Sequence, residues 1–219
     1  GCKKPNDPAP NPSQYAEMYF PPIAGATWET QPVSSLGWNQ SAIQPLKDFL
    51  AQKNSKSFMI LVNGRIVLEE YFNGSERASL HDPRSVGKSF ASTMLGIAIQ
   101  EGFIQSEKQS LSEFYPLKNY QNYSEKKANI SLKDLMTMTS GLAGDDSDSA
   151  SQGNEENMYP TEDWVKFTLD LPYQDSLKNK WHYFTAGVVL LGDILNKSVP
   201  NGLEKYAENK LFKPLEIKN

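Results

Sequence analysis

The sequence predicts an α+β fold in which one antiparallel β-hairpin precedes an almost wholly helical remainder. Three observations predict it. Residues 57–62, Ser-Phe-Met-Ile-Leu-Val, and 65–71, Arg-Ile-Val-Leu-Glu-Glu-Tyr, are β-prone runs separated only by Asn63-Gly64, and both turn residues tolerate the positive φ of a type I′ turn. From Ser85 onward the apolar residues recur at helical spacing. A two-stranded sheet is marginal alone, so the hairpin is expected to belong to a larger antiparallel sheet whose C-terminal strands the chain lacks.

The elements follow in order. Residues 1–33 are rich in Pro, Asn, Ser and Gln and cannot bury enough apolar surface to offset their ordering entropy. They read as an N-terminal tether, with Tyr15, Met18, Tyr19 and Phe20 against the surface of one domain at 34–219. Ile43, Leu46, Phe49 and Leu50 form a one-sided stripe over residues 41–53, a helix before the hairpin. A loop from Asn73-Gly74 reaches Arg84. Phe90, Met94, Ile97 and Ala98 then mark a helix from Ser85 that Gly102 stops. Leu111, Phe114 and Tyr115 lead to Pro116 as a short helix or turn, and residues 120–129 read as a polar loop. Ser131 to Asp134 is a capping-box pattern opening a helix that ends at Ser140-Gly141. Residues 144–162 are acidic, rich in Ser and Asn, and read as a long solvated loop. Residues 164–171 form a helix stopped by Pro172, and 186–195 and 203–211 form two more.

Composition narrows the function. The chain has 219 residues, 38% of them hydrophobic and 22% charged, enough for a soluble fold with a real core. A net charge of −4 excludes the basic surface that a nucleic-acid partner needs. No apolar run is long enough to span a bilayer. The single cysteine, Cys2, excludes an internal disulfide. It follows Gly1 and precedes Lys3, Lys4 and a polar, Pro-rich stretch. The pattern resembles a bacterial lipoprotein after removal of its signal peptide. On that resemblance Cys2 is the lipid anchor and the protein works outside the cytoplasm, in the periplasm or at the cell surface. Neither a metal-ligand cluster nor a Gly-rich phosphate loop is visible, so no metal and no cofactor is expected. The expected partner is a small-molecule or peptide substrate.

The chemistry centres on Arg84-Ser85-Val86-Gly87-Lys88. A serine hydroxyl is a poor nucleophile at neutral pH and needs a base within hydrogen-bond reach. Ser85 opens the predicted helix, and Lys88, three residues on, lies one turn later on the same face. The helix N-terminus favours an alkoxide and disfavours a protonated amine. The same Ser-x-x-Lys spacing recurs at Ser124 and Lys127, where it is read as chance in a polar loop.

The run from Arg84 to Ala98 resembles the active-site segment of the serine β-lactamase and penicillin-binding-protein superfamily. It is most similar to the class C β-lactamase-related branch, which holds carboxypeptidases, esterases and 6-aminohexanoate-dimer hydrolases. Asn63 to Tyr71 resembles that branch's first hairpin. Ile130 to Leu142 resembles its central helix, and Leu211 to Ile217 the stretch closing its helical part. The resemblance covers roughly residue 41 to the end and implies a β-lactamase/transpeptidase-like fold with an acyl-enzyme mechanism on an ester, amide or D-amino-acid peptide bond. Ser85 would be the nucleophile and Lys88 its activating partner. Tyr183 stands at the tyrosine of the branch's Tyr-x-Asn motif and would carry protons with Lys88. Thr185 replaces the motif's asparagine and is the expected substrate-binding residue, a departure that bears on β-lactam recognition more than on hydrolysis. The third motif, Lys/His-x-Gly on a late strand, has no match, so the chain is expected to lack the family's C-terminal third. Two rivals remain. One is a Ser/His/acid triad using His182 with Asp163 or Asp175, leaving His81 as a loop residue. The other is a non-catalytic cell-envelope lipoprotein that keeps the penicillin-binding fold.

Overall fold

The computed structural model describes residues 15–25 and 27–217. Cys2 and the start of the predicted tether lie outside them. The described residues form two compact units, divided between Asp82 and Pro83.

In the first unit, helix α1 (Ile43–Gln52) follows a short 3₁₀ turn, Gln40–Ala42, capped by Asn39, whose side chain accepts from the Ser41 amide at 3.1 Å. Ile43, Leu46 and Leu50 of the predicted stripe are half-buried, while Phe49 stays exposed. Strands β1 (Ser57–Val62) and β2 (Arg65–Tyr71) pair antiparallel from Ser57↔Tyr71 to Val62↔Arg65, with a bulge between Ile60 and Leu61. Asn63 and Gly64 hold φ of 47° and 80°, the left-handed conformations that the Asn-Gly pair was expected to supply.

The segment before residue 34 is bonded to this hairpin. The Tyr19 amide donates to Asn63 O at 2.9 Å, and Gln31 N to Ile66 O at 2.8 Å. Arg65, buried on β2, donates to Glu29 Oε2 at 2.8 Å and to Glu17 O at 2.7 Å, with its guanidinium over the Tyr15 and Tyr19 rings. A buried guanidinium needs such partners to offset lost hydration.

The second unit is helical. Helix α2 (Gly87–Gln100) buries Met94, Leu95 and Ala98 and ends at Gly102, whose φ of 80° suits a glycine after a helix. Next come α3 (Glu125–Ala128), α4 (Leu132–Met136), α5 (Glu155–Met158) and α6 (Trp164–Asp170). Last are α7 (Thr185–Ser198) and α8 (Gly202–Ala207), the latter running into a π turn at Glu208–Phe212. Helix α7 is the hub, packed against α2, α4, α6 and α8. Its Leu190, Leu191, Ile194 and Leu195 are almost wholly buried with Leu95, Leu132, Leu135 and Leu169. No helix among the described residues is long and apolar enough to cross a membrane.

Three local expectations need correction. The 120–129 segment is not simply a polar loop: Ser124 caps α3 by accepting from Lys127 N, and Lys127 is fully buried with its Nζ donating to Gln121 O at 2.8 Å. The helix opened by the Ser131–Asp134 capping box stops at Met136, well before Gly141, because Met138 takes a left-handed φ of 58°. The acidic 144–162 segment is solvated at 147–150, as expected, but it is also folded. Buried Asn154 donates to the Asp145, Asp146 and Asp148 carbonyls at 3.1–3.3 Å, and Met158 of α5 enters the core.

Candidate active site

Ser85 lies on a single 3₁₀ turn, Arg84–Val86, that feeds α2. The turn begins at Pro83 and is closed by Val86 N donating to Pro83 O at 3.0 Å. Arg84 adopts φ of 49°, a conformation that costs a non-glycine residue about 1 kcal/mol or more. The chain thereby enters α2 with the Ser85 side chain exposed and Lys88 half-buried on the first turn.

Lys88 Nζ donates to Ser85 Oγ at 3.2 Å. The same ammonium lies 4.7 Å from the centre of the Tyr183 ring. The three side chains predicted to share one site therefore meet. Polar contact with Lys88, and after it with Ser85, holds the Tyr183 phenol below its ordinary value of 10, against the opposing effect of burial.

Tyr183 is held by its neighbours in sequence. It lies on the extended stretch before α7, where His182 N donates to Met138 O at 3.2 Å and Asp146 N donates to Tyr183 O at 2.7 Å. Phe184 is buried, its ring against Gly144 and Gly187. A Cβ at Gly144 would fall 1.9 Å from Phe184 Cε2 and one at Gly187 2.9 Å from Phe184 Cδ1. Both positions need glycine for close approach, not for backbone freedom.

Thr185, the expected substrate-binding residue, begins α7. Its amide donates to Asp146 Oδ2 at 2.7 Å, while its hydroxyl oxygen is buried without a hydrogen-bond partner. The bond to Lys88 that its chemistry allows is not made.

The triad built on His182 is not assembled. His182 Nδ1 pairs with Asp145 Oδ2 at 2.9 Å, and its Nε2 has no hydrogen-bond partner. Neither candidate acid orients it. Asp163 caps α6 by accepting from Lys166 N at 2.8 Å, and Asp175 pairs with Lys126 at 2.6 Å. His81 contacts Ser75 in its loop at 3.1 Å. Among the described residues no group of three or more His, Cys, Asp or Glu is placed to hold a metal ion.

Sequence reasoning missed Asp145 and Asp146, which hold the residues on either side of Tyr183. The sequence carried no signal for them: a helix predicted at 186–195 places Thr185, a competent cap, at its N-cap, whereas the helix begins one residue earlier with Phe184 at the N-cap and no acceptor there.

Comparison with known proteins completes the description. A family model described as Beta-lactamase matches residues 46–219, a span that contains Ser85, Lys88 and Tyr183. Among solved structures, a Bacillus anthracis protein described as a 6-aminohexanoate-dimer hydrolase superposes with a TM-score of 0.62 at 16% identity, covering 85% of this chain and 52% of that one. FmtA from Staphylococcus aureus superposes with a TM-score of 0.56 at 16% identity, covering 97% of this chain and 57% of that one. The chain thus spans little more than half the length of these two structures, and likeness at such identity speaks to the fold alone. No curated protein sequence matches.

Proposed function

The chain belongs to the β-lactamase family, with its β-lactamase/transpeptidase-like fold, and from that premise we propose that it is a serine hydrolase acting through an acyl-enzyme on an ester, amide or D-amino-acid peptide bond. The observation that carries this reading is the Lys88 ammonium, bonded to Ser85 Oγ at 3.2 Å and 4.7 Å from the Tyr183 ring centre. Ser85 Oγ attacks the substrate carbonyl carbon, and its proton passes to the Lys88/Tyr183 pair. The Ser85 backbone N–H, on the turn that feeds α2, would donate to the developing oxyanion, a type of contact often contributing about 3 kcal/mol to the transition state. Collapse of the tetrahedral species breaks the bond to the leaving group, which takes the proton back from the pair. Water then attacks the acyl carbon and gives a proton to the same pair; the bond from that carbon to Ser85 Oγ breaks, the pair returns the proton to Oγ, and the acid leaves. A phenol held below its ordinary value is a better proton acceptor near neutral pH than free tyrosine.

The test uses this chain and its Ser85→Ala variant, each incubated with a fluorophosphonate and separately with a penicillin, then weighed intact. One adduct that disappears in the variant is the expected result. A folded wild-type chain and a longer chain that carries the family's C-terminal strands, both taking neither reagent, would overturn the hydrolase reading in favour of a binding protein on the same fold.

The N-terminal Gly1-Cys2-Lys3-Lys4 run supports a further part of the proposal, that a lipid on Cys2 holds the protein at the outer side of a membrane. Growth with an alkyne-tagged fatty acid should label the wild type and not Cys2→Ser. Equal labelling of the two would remove the anchor.

A further inference from the structure

Helix α7 starts without a cap of its own. Phe184 stands at its N-cap and offers no side-chain acceptor, yet the first amides of a helix need partners when shielded from water. Asp146 supplies one from the acidic loop. Its Oδ2 accepts from Thr185 N at 2.7 Å, and its Oδ1 accepts from Glu155 N, the first amide of α5, at 2.9 Å. Its own backbone N–H donates to Tyr183 O at 2.7 Å. One residue therefore grips the chain immediately on both sides of Phe184 and ties it to the start of a second helix.

The grip is itself braced. Asp145, the preceding residue, pairs with His182 at 2.9 Å, and its amide donates to Ser151 Oγ at 2.9 Å. The Asn154 side chain donates to the Asp145 and Asp146 carbonyls from a buried position. Residues 182, 183 and 185 are thus all bonded to the Asp145-Asp146 pair, and Phe184 between them is wedged against Gly144. Tyr183 is half-buried and reaches Lys88 from this anchored stretch.

We infer that Asp146 is the positioning residue for Tyr183, fixing the backbone from which the phenol is presented to Lys88 and Ser85. This rests on the reading of Ser85, Lys88 and Tyr183 as the proton-handling set. Asp146 acts through the Tyr183 carbonyl and the Thr185 amide and touches neither the nucleophile nor the substrate. Loss of its carboxylate frees the start of α7 and lets Tyr183 drift from Lys88. Displacements near 1 Å cost about a hundredfold in well-aligned reactions.

The experiment compares wild type, Asp146→Ala, Asp146→Asn and Asp163→Ala. Asp163 caps α6 and has no bond to the Tyr183 stretch, so its variant reports ordinary loss of a helix cap. Two readouts are taken below each variant's melting temperature: the rate of fluorophosphonate labelling at Ser85, and the pH titration of Tyr183 followed by ¹³Cζ-tyrosine NMR, assigned with Tyr183→Phe. Labelling should fall about ten- to a hundredfold in Asp146→Ala and less in Asp146→Asn, which keeps one acceptor. In both, the Tyr183 midpoint should move up toward that of free tyrosine, while Asp163→Ala changes neither readout. If Asp146→Ala does not fold, Asp146→Asn decides. Folded Asp146 variants with wild-type labelling and an unmoved Tyr183 midpoint would overturn the inference and leave the hydrolase reading intact. If neither the wild type nor a longer chain with the family's C-terminal strands takes a label at Ser85, the hydrolase reading fails, and the Tyr183 midpoint alone still tests whether Asp146 positions that side chain.

Discussion

The Lys88 ammonium faces the Tyr183 ring, 4.7 Å from its centre, while donating to Ser85 Oγ. A cation so placed is attracted to the aromatic ring and favours loss of the phenol's proton. One group thus connects the nucleophile to the residue that would take its proton.

A pH signature follows from that contact. Tyr183 is held below 10 chiefly by Lys88, so its phenolate fills as pH rises through a value lower than that of free tyrosine. Labelling of Ser85 that depends on the phenolate should climb over the same interval. In Tyr183→Phe this limb should vanish, and in Lys88→Ala it should move to higher pH with a rate loss of about a hundredfold or more. Rate profiles from about pH 6 to pH 10 decide it. A limb that persists unchanged in Tyr183→Phe would remove the tyrosine from the mechanism.

Gly144 and Gly192 should respond in opposite directions to alanine. At Gly144 a Cβ collides with Phe184 at 1.9 Å, and overpacking of this kind costs about 1–3 kcal/mol. Since Phe184 separates Tyr183 from Thr185, the labelling rate should fall along with the melting temperature. At Gly192, within α7, a Cβ meets nothing within 4 Å, so Gly192→Ala should stabilise by about 0.5–1 kcal/mol. Thermal melts of the two variants give the answer, and a stable Gly144→Ala protein would show that Phe184 is free to move.

Lys127 should make stability rise with alkali. Burial lowers its pKa to about 8, partly opposed by Asp170. An unfolded lysine keeps its proton to about 10.5. Between these values the unfolded chain holds more protons, so stability increases as pH rises from about 8 to 10.5. The gain should be on the order of 1–3 kcal/mol. Replacing the amine by Met should abolish that increment, so the stability advantage of Lys127→Met over wild type shrinks between pH 7 and pH 10. Urea midpoints at the two pH values test this, and a constant difference would mean that Lys127 is hydrated in the folded protein.

Gly64→Ala should loosen the segment ahead of the hairpin. The residue has φ of 80°, and a Cβ would lie 2.0 Å from Tyr19 O. Strain and collision together should cost about 1–3 kcal/mol, taken up by release of residues 15–19. Hydrogen exchange at the Tyr19 amide, bonded to Asn63 O, should accelerate before that of β2. Unchanged protection there would show that the turn absorbs the methyl group without letting go.

The hairpin was legible because the Asn63-Gly64 turn is a local property of two adjacent residues. The Ser85/Lys88 contact was legible for a similar reason, since i and i+3 meet on a helical turn, although α2 begins at Gly87 and Ser85 stands on the 3₁₀ turn before it. Tyr183 could be placed only by resemblance, since nothing in its own neighbourhood distinguishes it from a packed aromatic. The rest depended on distant partners. Lys127 looks solvated in sequence, and its burial follows from the Gln121 carbonyl and from Asp170 in α6. The pairing of His182 with Asp145 joins residues 37 apart, while Asp163 is used as a helix cap and Asp175 by Lys126. The exposure of the acidic loop was legible and its order was not, because that order comes from one buried amide, Asn154, bonded to three carbonyls, and composition carries no trace of such a keystone.

Ser85 rides on the turn into α2, Lys88 on its first turn, and Tyr183 on the approach to α7, two helices that pack directly against each other. With the Tyr183 stretch held by Asp146, a drift that parts the trio must slide one core helix along the other, against the close packing around Met94, Leu95 and Leu191. Mutation can therefore rework loops that do not bond the 182–185 stretch without disturbing the trio's internal alignment, whereas core substitutions and changes at Asp146 cannot leave that alignment alone. In an evolving lineage the reaction would stay fixed while the choice of substrate wanders.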